Sequence, residues 1–171
     1  NKYFRPVIID HNKVANTDQS NFPVLISGTY PFLKTTGNGG KVSNINGHDI
    51  VFTEDSQGLT RLTWDIERYD PATGEITVWV KTNLSASTDK VIYMHYGDPA
   101  ITTFQGNKAG TWNNSYTSVY HFGSGTAINT TDATSNAING TNNGSAASAG
   151  QVYGAAAFNG SSNHITLGTG S

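Results

Sequence analysis

Leu62-Thr63-Trp64-Asp65-Ile66-Glu67 and Ile76-Thr77-Val78-Trp79-Val80-Lys81 decide the fold of this chain, with Asp70-Pro71-Ala72-Thr73-Gly74 lying between them. In the first run Leu62, Trp64 and Ile66 alternate with polar residues. In the second, Ile76, Val78 and Val80 alternate with Thr77, Trp79 and Lys81. This is the period of a strand with one face in a core. The connecting stretch is turn chemistry, with Asp and Pro at its start and Gly at its end. A third run, Val91 to Tyr96, alternates in the same way. Tyr3 to Asp10 and Phe22 to Ile26 are further strand-like runs. Pro23 restricts the latter to a strand start or a sheet edge, because proline donates no ladder hydrogen bond. Turn signals at Gly37-Asn38-Gly39-Gly40 and Asn46-Gly47 punctuate the series. A short helix is expected around Pro31 to Thr36. The fold class expected is all-β, an antiparallel jelly-roll-like β-sandwich.

Composition agrees with that class and removes others. The chain has 171 residues, 36% hydrophobic and only 13% charged, with 19 Gly. Globular chains average about 25% charged residues. A net charge of −2 gives no electrostatic footprint for nucleic acid. No apolar run approaches the roughly 20 residues of a membrane-spanning helix. The absence of Cys excludes disulfides, thiolate zinc sites and cysteine nucleophiles together. The chain opens directly on a strand-like run, as a mature or trimmed chain would.

The charges divide unevenly. Residues 1–108 hold all ten Lys and Arg and eleven of the twelve acids, and Asp132 is the one charged residue beyond them. A boundary is expected within 97–112, at Gly97-Asp98-Pro99 and Gly106-Asn107-Lys108-Ala109-Gly110. Residues 1–108 are expected to form the main sandwich. Residues 109–171 either add strands to it or begin another domain. In this second part strands are expected at Tyr116 to Phe122, Ala155 to Asn159 and Asn163 to Leu167. The polar stretch between the first two, with Asn139-Gly140 and Asn143-Gly144, reads as turns or a loop.

Residues 3–105 resemble the bacterial and archaeal domain of unknown function DUF2341. The matching runs include Tyr3-Phe4-Arg5-Pro6-Val7-Ile8-Ile9-Asp10, Asn21-Phe22-Pro23-Val24-Leu25-Ile26 and Asp49-Ile50-Val51-Phe52-Thr53. Asp65 to Glu75, Trp79-Val80-Lys81 and Ile92 to Pro99 follow in order. The resemblance implies that a concanavalin A-like (laminin G-type) domain follows, and residues 112–168 look like its opening. Trp112 to Tyr116, Val119 to Phe122, Asp132 to Asn136 and Ala156 to Ile165 carry that likeness. It also implies a place in a large exported prokaryotic protein, secreted or at the cell surface, beside adhesive or carbohydrate-active modules. It implies no established chemistry.

Candidate chemistry is sparse. A glycosidase needs two carboxylates flanking a sugar. Asp65 and Glu67 sit two apart on one strand, a weak candidate pair beside Arg61 and Arg68. No Gly-x-Ser-x-Gly elbow or phosphate loop occurs. His11, His48, His95, His121 and His164 show no metal-ligand spacing. Oxygen-rich loops suit calcium, with Asp132 and Asn136, or Glu54 and Asp55, as candidate ligands. No cofactor is required by any motif. Aromatics are the richest resource, because flat rings pack against the apolar faces of sugars. The candidates are Trp79, Trp112, Trp64, Tyr69, Tyr116 and Tyr120. Trp79 shares a face with Thr77 and Lys81 and is the best of them, whereas Trp64 shares a face with Leu62 and Ile66 and suits a core.

The function expected is a non-catalytic, lectin-like or adhesive module binding a polysaccharide or glycan. The alternative is a structural spacer or assembly domain, joined to other domains or to a partner chain by strand addition. A glycoside hydrolase is the outsider.

Overall fold

The computed structural model describes residues 2–113, 115–123 and 127–168. It divides into two compact units, Asn1–Asn107 and Lys108–Ser171.

The first unit is a β-sandwich of two three-stranded antiparallel sheets. Its strands are β1 (Tyr3–Ile9), β2 (Gln19–Thr29), β3 (Val51–Thr53), β4 (Thr63–Asp70), β5 (Glu75–Leu84) and β6 (Lys90–Tyr96). One sheet has the order β1-β6-β3 and the other β2-β5-β4. Of the chain-consecutive strands, only β4 and β5 are neighbours in a sheet, and every other connection crosses from one sheet to the other. Jelly rolls typically use about eight strands, and six are described in this unit.

The turn anticipated from the sequence closes a β4–β5 hairpin, which sets the second sheet. Asp70 pairs with Glu75 across the turn. The Asp70 side chain accepts from the backbone N–H of Ala72 at 2.8 Å, and its carbonyl accepts from Gly74 N–H at 2.9 Å. Gly74 has φ +75°, and a Cβ there would stand 2.1 Å from the Tyr30 carbonyl oxygen. Only glycine meets both demands, a left-handed backbone and a neighbouring chain in contact. The tip of the hairpin is thereby tied to the end of β2.

Both proline-bearing strands are edges. β1 carries Pro6 and pairs only with β6, and β2 carries Pro23 and pairs only with β5. The missing N–H is harmless on a side with no neighbour.

The alternating residues meet in one core. Ile76, Val78 and Val80 of β5 are fully buried and share one core with Trp64 of the neighbouring β4 and with Phe52, Ile92, Met94 and Tyr96 of the other sheet. Trp64 sits edge-on to Phe52, with ring centroids 5.7 Å apart. The helix expected at Pro31 to Thr36 is replaced by two 3-10 turns, Pro31–Leu33 and Thr36–Asn38.

The second unit departs further from expectation. It has a one-turn helix α1 (Lys108–Thr111) and strands β7 (Gly140–Asn143), β8 (Ala146–Ala149), β9 (Gly154–Ala157) and β10 (His164–Leu167). β7 pairs with β10, and β8 with β9. Tyr116 to Phe122 is not a strand: Ser115 and Phe122 take φ +65° and +55°, which break an extended run at both ends. Asn114 beside it lies outside the described residues. Conversely, β7 and β8 occupy the stretch read as turns. Their residues are small and largely exposed, so no buried face imposes a period on the sequence.

Truncating Trp64 should therefore unfold the sandwich before any surface change does. Trp64→Ala is expected to cost about 3–5 kcal/mol, measured as a lowered urea midpoint with an unchanged slope.

Candidate functional site

The aromatic residues singled out from the sequence are mostly structural. Trp64 is fully buried and Trp112 is 4% exposed, so neither offers a face to a ligand. Trp112 packs edge-on to Tyr116 at 5.3 Å and against His121 at 5.8 Å. Tyr69 donates its hydroxyl to the Leu33 carbonyl at 2.6 Å, and burial, with Asp49 and Asp70 nearby, pushes that phenol well above its ordinary range. Tyr120 donates to the Ile138 carbonyl and stacks on Phe122. Tyr116 keeps an exposed edge. Trp79 is half-buried, and its indole N–H is held by a Glu67 carboxylate oxygen at 2.8 Å. Three of the six belong to the first unit and three to the second.

The carboxylate candidates are likewise engaged. The register of β4 shifts between Ile66 and Arg68, which makes Glu67 a bulge residue and breaks the regular spacing from Asp65. Asp65 is fully buried. Asp132 accepts from the backbone N–H groups of Val119, Thr134 and Ile138 and from the Thr134 hydroxyl, all within 3.0 Å. Burial opposes its ionisation, but these donors together hold the carboxyl below its usual value. Asn136 donates to the Thr117 carbonyl at 2.8 Å. Asp132 and Asn136 thus pin a loop by their own hydrogen bonds. Glu54 pairs with Lys90 at 2.5 Å and accepts from Thr82. Asp10, His11 and Asp89 bring ligand atoms within 4.8 Å of one another, but Asp89 Oδ1 already accepts from the backbone and ring of His11.

A different surface has the makings of a binding site. Tyr3 and Phe4, at the start of edge strand β1, are 40% and 51% exposed. Successive strand residues point to opposite faces of a sheet, so each ring walls its own cleft, and Lys2 lines both. Pro6 on the same strand was the available sequence signal, since an edge strand can leave its aromatics in water.

The Tyr3 cleft, about 340 Å³, is lined by Lys2, Lys41, Thr36 and Ser43 with glycine backbone between them. Tyr3 stacks on Tyr96 at 5.7 Å, which fixes its ring, and the Lys41 ammonium stands 5.7 Å from the ring centroid. Asp49 supports this wall from behind. Its carboxylate accepts from the backbone N–H groups of Ser43, Asn44 and Gly97 at 2.8–2.9 Å.

The Phe4 cleft, about 380 Å³, is lined by Lys2, Gln57, Arg61, His95 and Asp98. Phe4 packs against Tyr93 and His95. Thr53 donates its hydroxyl to the Asp55 carbonyl at 2.7 Å and lies 2.9 Å from His95 Nε2, so that nitrogen carries the proton. Burial pushes His95 below its ordinary value and keeps it neutral at pH 7. The 54–61 loop forms the far wall, closed by Asp55, which accepts from Leu59 and Thr60 N–H. These two bonds hold the Asp55 carboxyl down to about 2.

A model of a family described as a domain of unknown function (DUF2341) matches residues 46–149, which is 104 of the 171 residues. The match starts and ends later than the 3–105 expected from the resemblance. It omits β1 and β2 and runs into the second unit. No curated protein and no solved structure matches the chain significantly.

Two outcomes follow from these supports. Asp49→Ala leaves three N–H groups without their acceptor and should cost about 3 kcal/mol or more, read by thermal or urea unfolding. Asp55 has a folded pKa below its unfolded one, so its stabilisation is present above about pH 4 and is lost as pH falls through about 2. The Leu59 and Thr60 amides should stay protected from exchange at pH 4 and lose protection below pH 2.

Proposed function

The chain belongs to the DUF2341 family, and from that premise we propose that it is a non-catalytic carbohydrate-binding or adhesive module of a larger exported prokaryotic protein. One observation carries the reading. Two exposed aromatic rings, on adjacent residues of an edge strand, each wall a polar-lined cleft on a rigid sheet. Sugars present apolar C–H faces that pack on such rings and hydroxyls that take hydrogen bonds from groups around them. Thr36, Ser43, Gln57 and Asp98 supply the polar partners. Both rings are braced by other aromatics and by strand pairing, so little conformational freedom remains to be lost on binding.

Catalysis is no part of the proposal, and neither is a required cofactor. A structural calcium is the finer possibility left from the oxygen-rich loops, and a chelator arm tests it. The second unit, with its antiparallel ladders β7–β10 and β8–β9, suits the opening strands of a concanavalin A-like domain.

The assembly alternative has one supporting feature. The outward face of β1 and β6 exposes Phe4, Ile8 and Val91 beside an unpaired edge. Pro6 removes one N–H from that edge, which weakens strand addition there. A concentration-dependent dimer, abolished by Ile8→Lys, would favour this alternative.

The deciding experiment is a polysaccharide and glycan array on the 171-residue chain, with calcium and with chelator. Saturable binding is expected, lowered about tenfold, or about 1.4 kcal/mol, by Tyr3→Ala or Phe4→Ala and unchanged by Tyr116→Ala. A blank array with folded protein would overturn the proposal.

A further inference from the structure

The Tyr3 cleft is lined by two cations, of which Lys2 also acts on Asp98 and helps to hold that carboxyl below its usual value. Lys2 and Lys41 line it, and none of the residues that line it is acidic. Neither lysine forms a salt bridge to a carboxylate among the described residues. Lys41 has only the Tyr3 ring beneath it, at 5.7 Å. Asp49, which supports the wall, is fully buried, with both oxygens turned to backbone N–H groups. In the adjoining Phe4 cleft Lys2 and Arg61 face one acid, Asp98, and His95 is neutral. Across both clefts the cations outnumber the acids, in a chain whose net charge is −2.

We propose that the ligand is an acidic polysaccharide, with a uronate packed against the exposed rim of Tyr3 and its carboxylate held by Lys41 and Lys2. This rests on the carbohydrate-binding reading above and names its substrate class. The chemistry follows from the placement of the ammonium groups. A pyranose packed on a ring carries its C6 group at its rim. In a neutral hexose that group is a hydroxymethyl, which gains little from an ammonium. In a uronate it is a carboxylate, which gains a charge-assisted hydrogen bond. Lysine is a compact point charge on a flexible stem, so two lysines can follow a carboxylate along a polymer without demanding one fixed fork geometry. Thr36 and Ser43 provide hydroxyls for the ring. Charge attraction of this kind also speeds encounter with a polyanion and weakens with salt.

The test compares polygalacturonate with neutral galactan, and dextran sulfate with dextran, on the folded 171-residue chain. Each is run at about 0.1 M and about 1 M salt, where the screening length falls from about 10 Å to about 3 Å. Polygalacturonate is expected to bind at least about tenfold tighter than galactan at the lower salt, and to lose that advantage at the higher. Lys41→Gln should abolish the preference of polygalacturonate over galactan, and Lys41→Arg should restore most of it. Tyr3→Ala should weaken both polymers. Equal binding of galactan and polygalacturonate, indifferent to Lys41→Gln, would overturn the acidic-ligand inference and leave the carbohydrate reading standing. Dextran sulfate bound as well as polygalacturonate, with Tyr3→Ala silent, would overturn it in favour of charge alone. No binding to any of the four would overturn both.

Discussion

One buried carboxylate organises the end of the sandwich where the clefts open. Asp49 is fully enclosed and accepts three backbone N–H groups, two from the loop before β3 and one from the residue after β6. So polar a group is tolerated there because these donors replace its water. The clamp joins the 40–50 segment to the end of the central strand of one sheet. Gly97, one of its donors, takes φ +82°, and a Cβ on it would meet Tyr3 at 2.7 Å and the Lys41 carbonyl at 3.0 Å. The Asp49 clamp, the Gly97 turn, the Tyr3 ring and the Lys41 backbone are therefore mutually dependent. The Tyr3 cleft exists because that clamp holds.

The molecule separates residues that stabilise from residues left open to solvent. Trp64 and Trp112 spend their area on packing, and Asp132 spends its charge on a loop. Asp55 does the same for the 54–61 loop, whose N–H donors keep its carboxylate ionised far into acid. What is left for recognition is modest: two partly exposed rings, a few hydroxyls and amides, and a small excess of cations. Such a surface suits binding to a repeating polymer, where many weak contacts add, better than it suits the tight enclosure of a single small molecule.

The family match and the folding unit do not coincide. Residues 46–149 omit β1 and β2, although β1 pairs with β6 and β2 with β5 over most of their lengths. The matched span alone would leave both central strands with an open side. The proposed site straddles the same line. Lys2, Tyr3, Phe4 and Lys41 precede the match, and Gln57, Arg61, His95 and Asp98 fall inside it. The proposed ligand is accordingly one for this chain, because part of its site lies outside the span the family shares.

The sequence by itself determined the β class, the turn between β4 and β5, the restriction of β2 to a strand start or a sheet edge, and the alternation of β4, β5 and β6. These are local consequences of period-two burial, turn chemistry and a missing N–H. It did not reveal β7 and β8, because strands of small residues exposed on both faces leave no period to read. It named Trp64 as a sugar platform alongside its better reading as core, because alternation shows that a residue has a buried side but not how completely the opposite sheet covers it. Only the tertiary structure brought Lys2 and Lys41, 39 positions apart in the sequence, to one cleft beside Tyr3. Chain crossings between sheets and a buried Asp49 make that meeting, and neither leaves a pattern in the order of the residues.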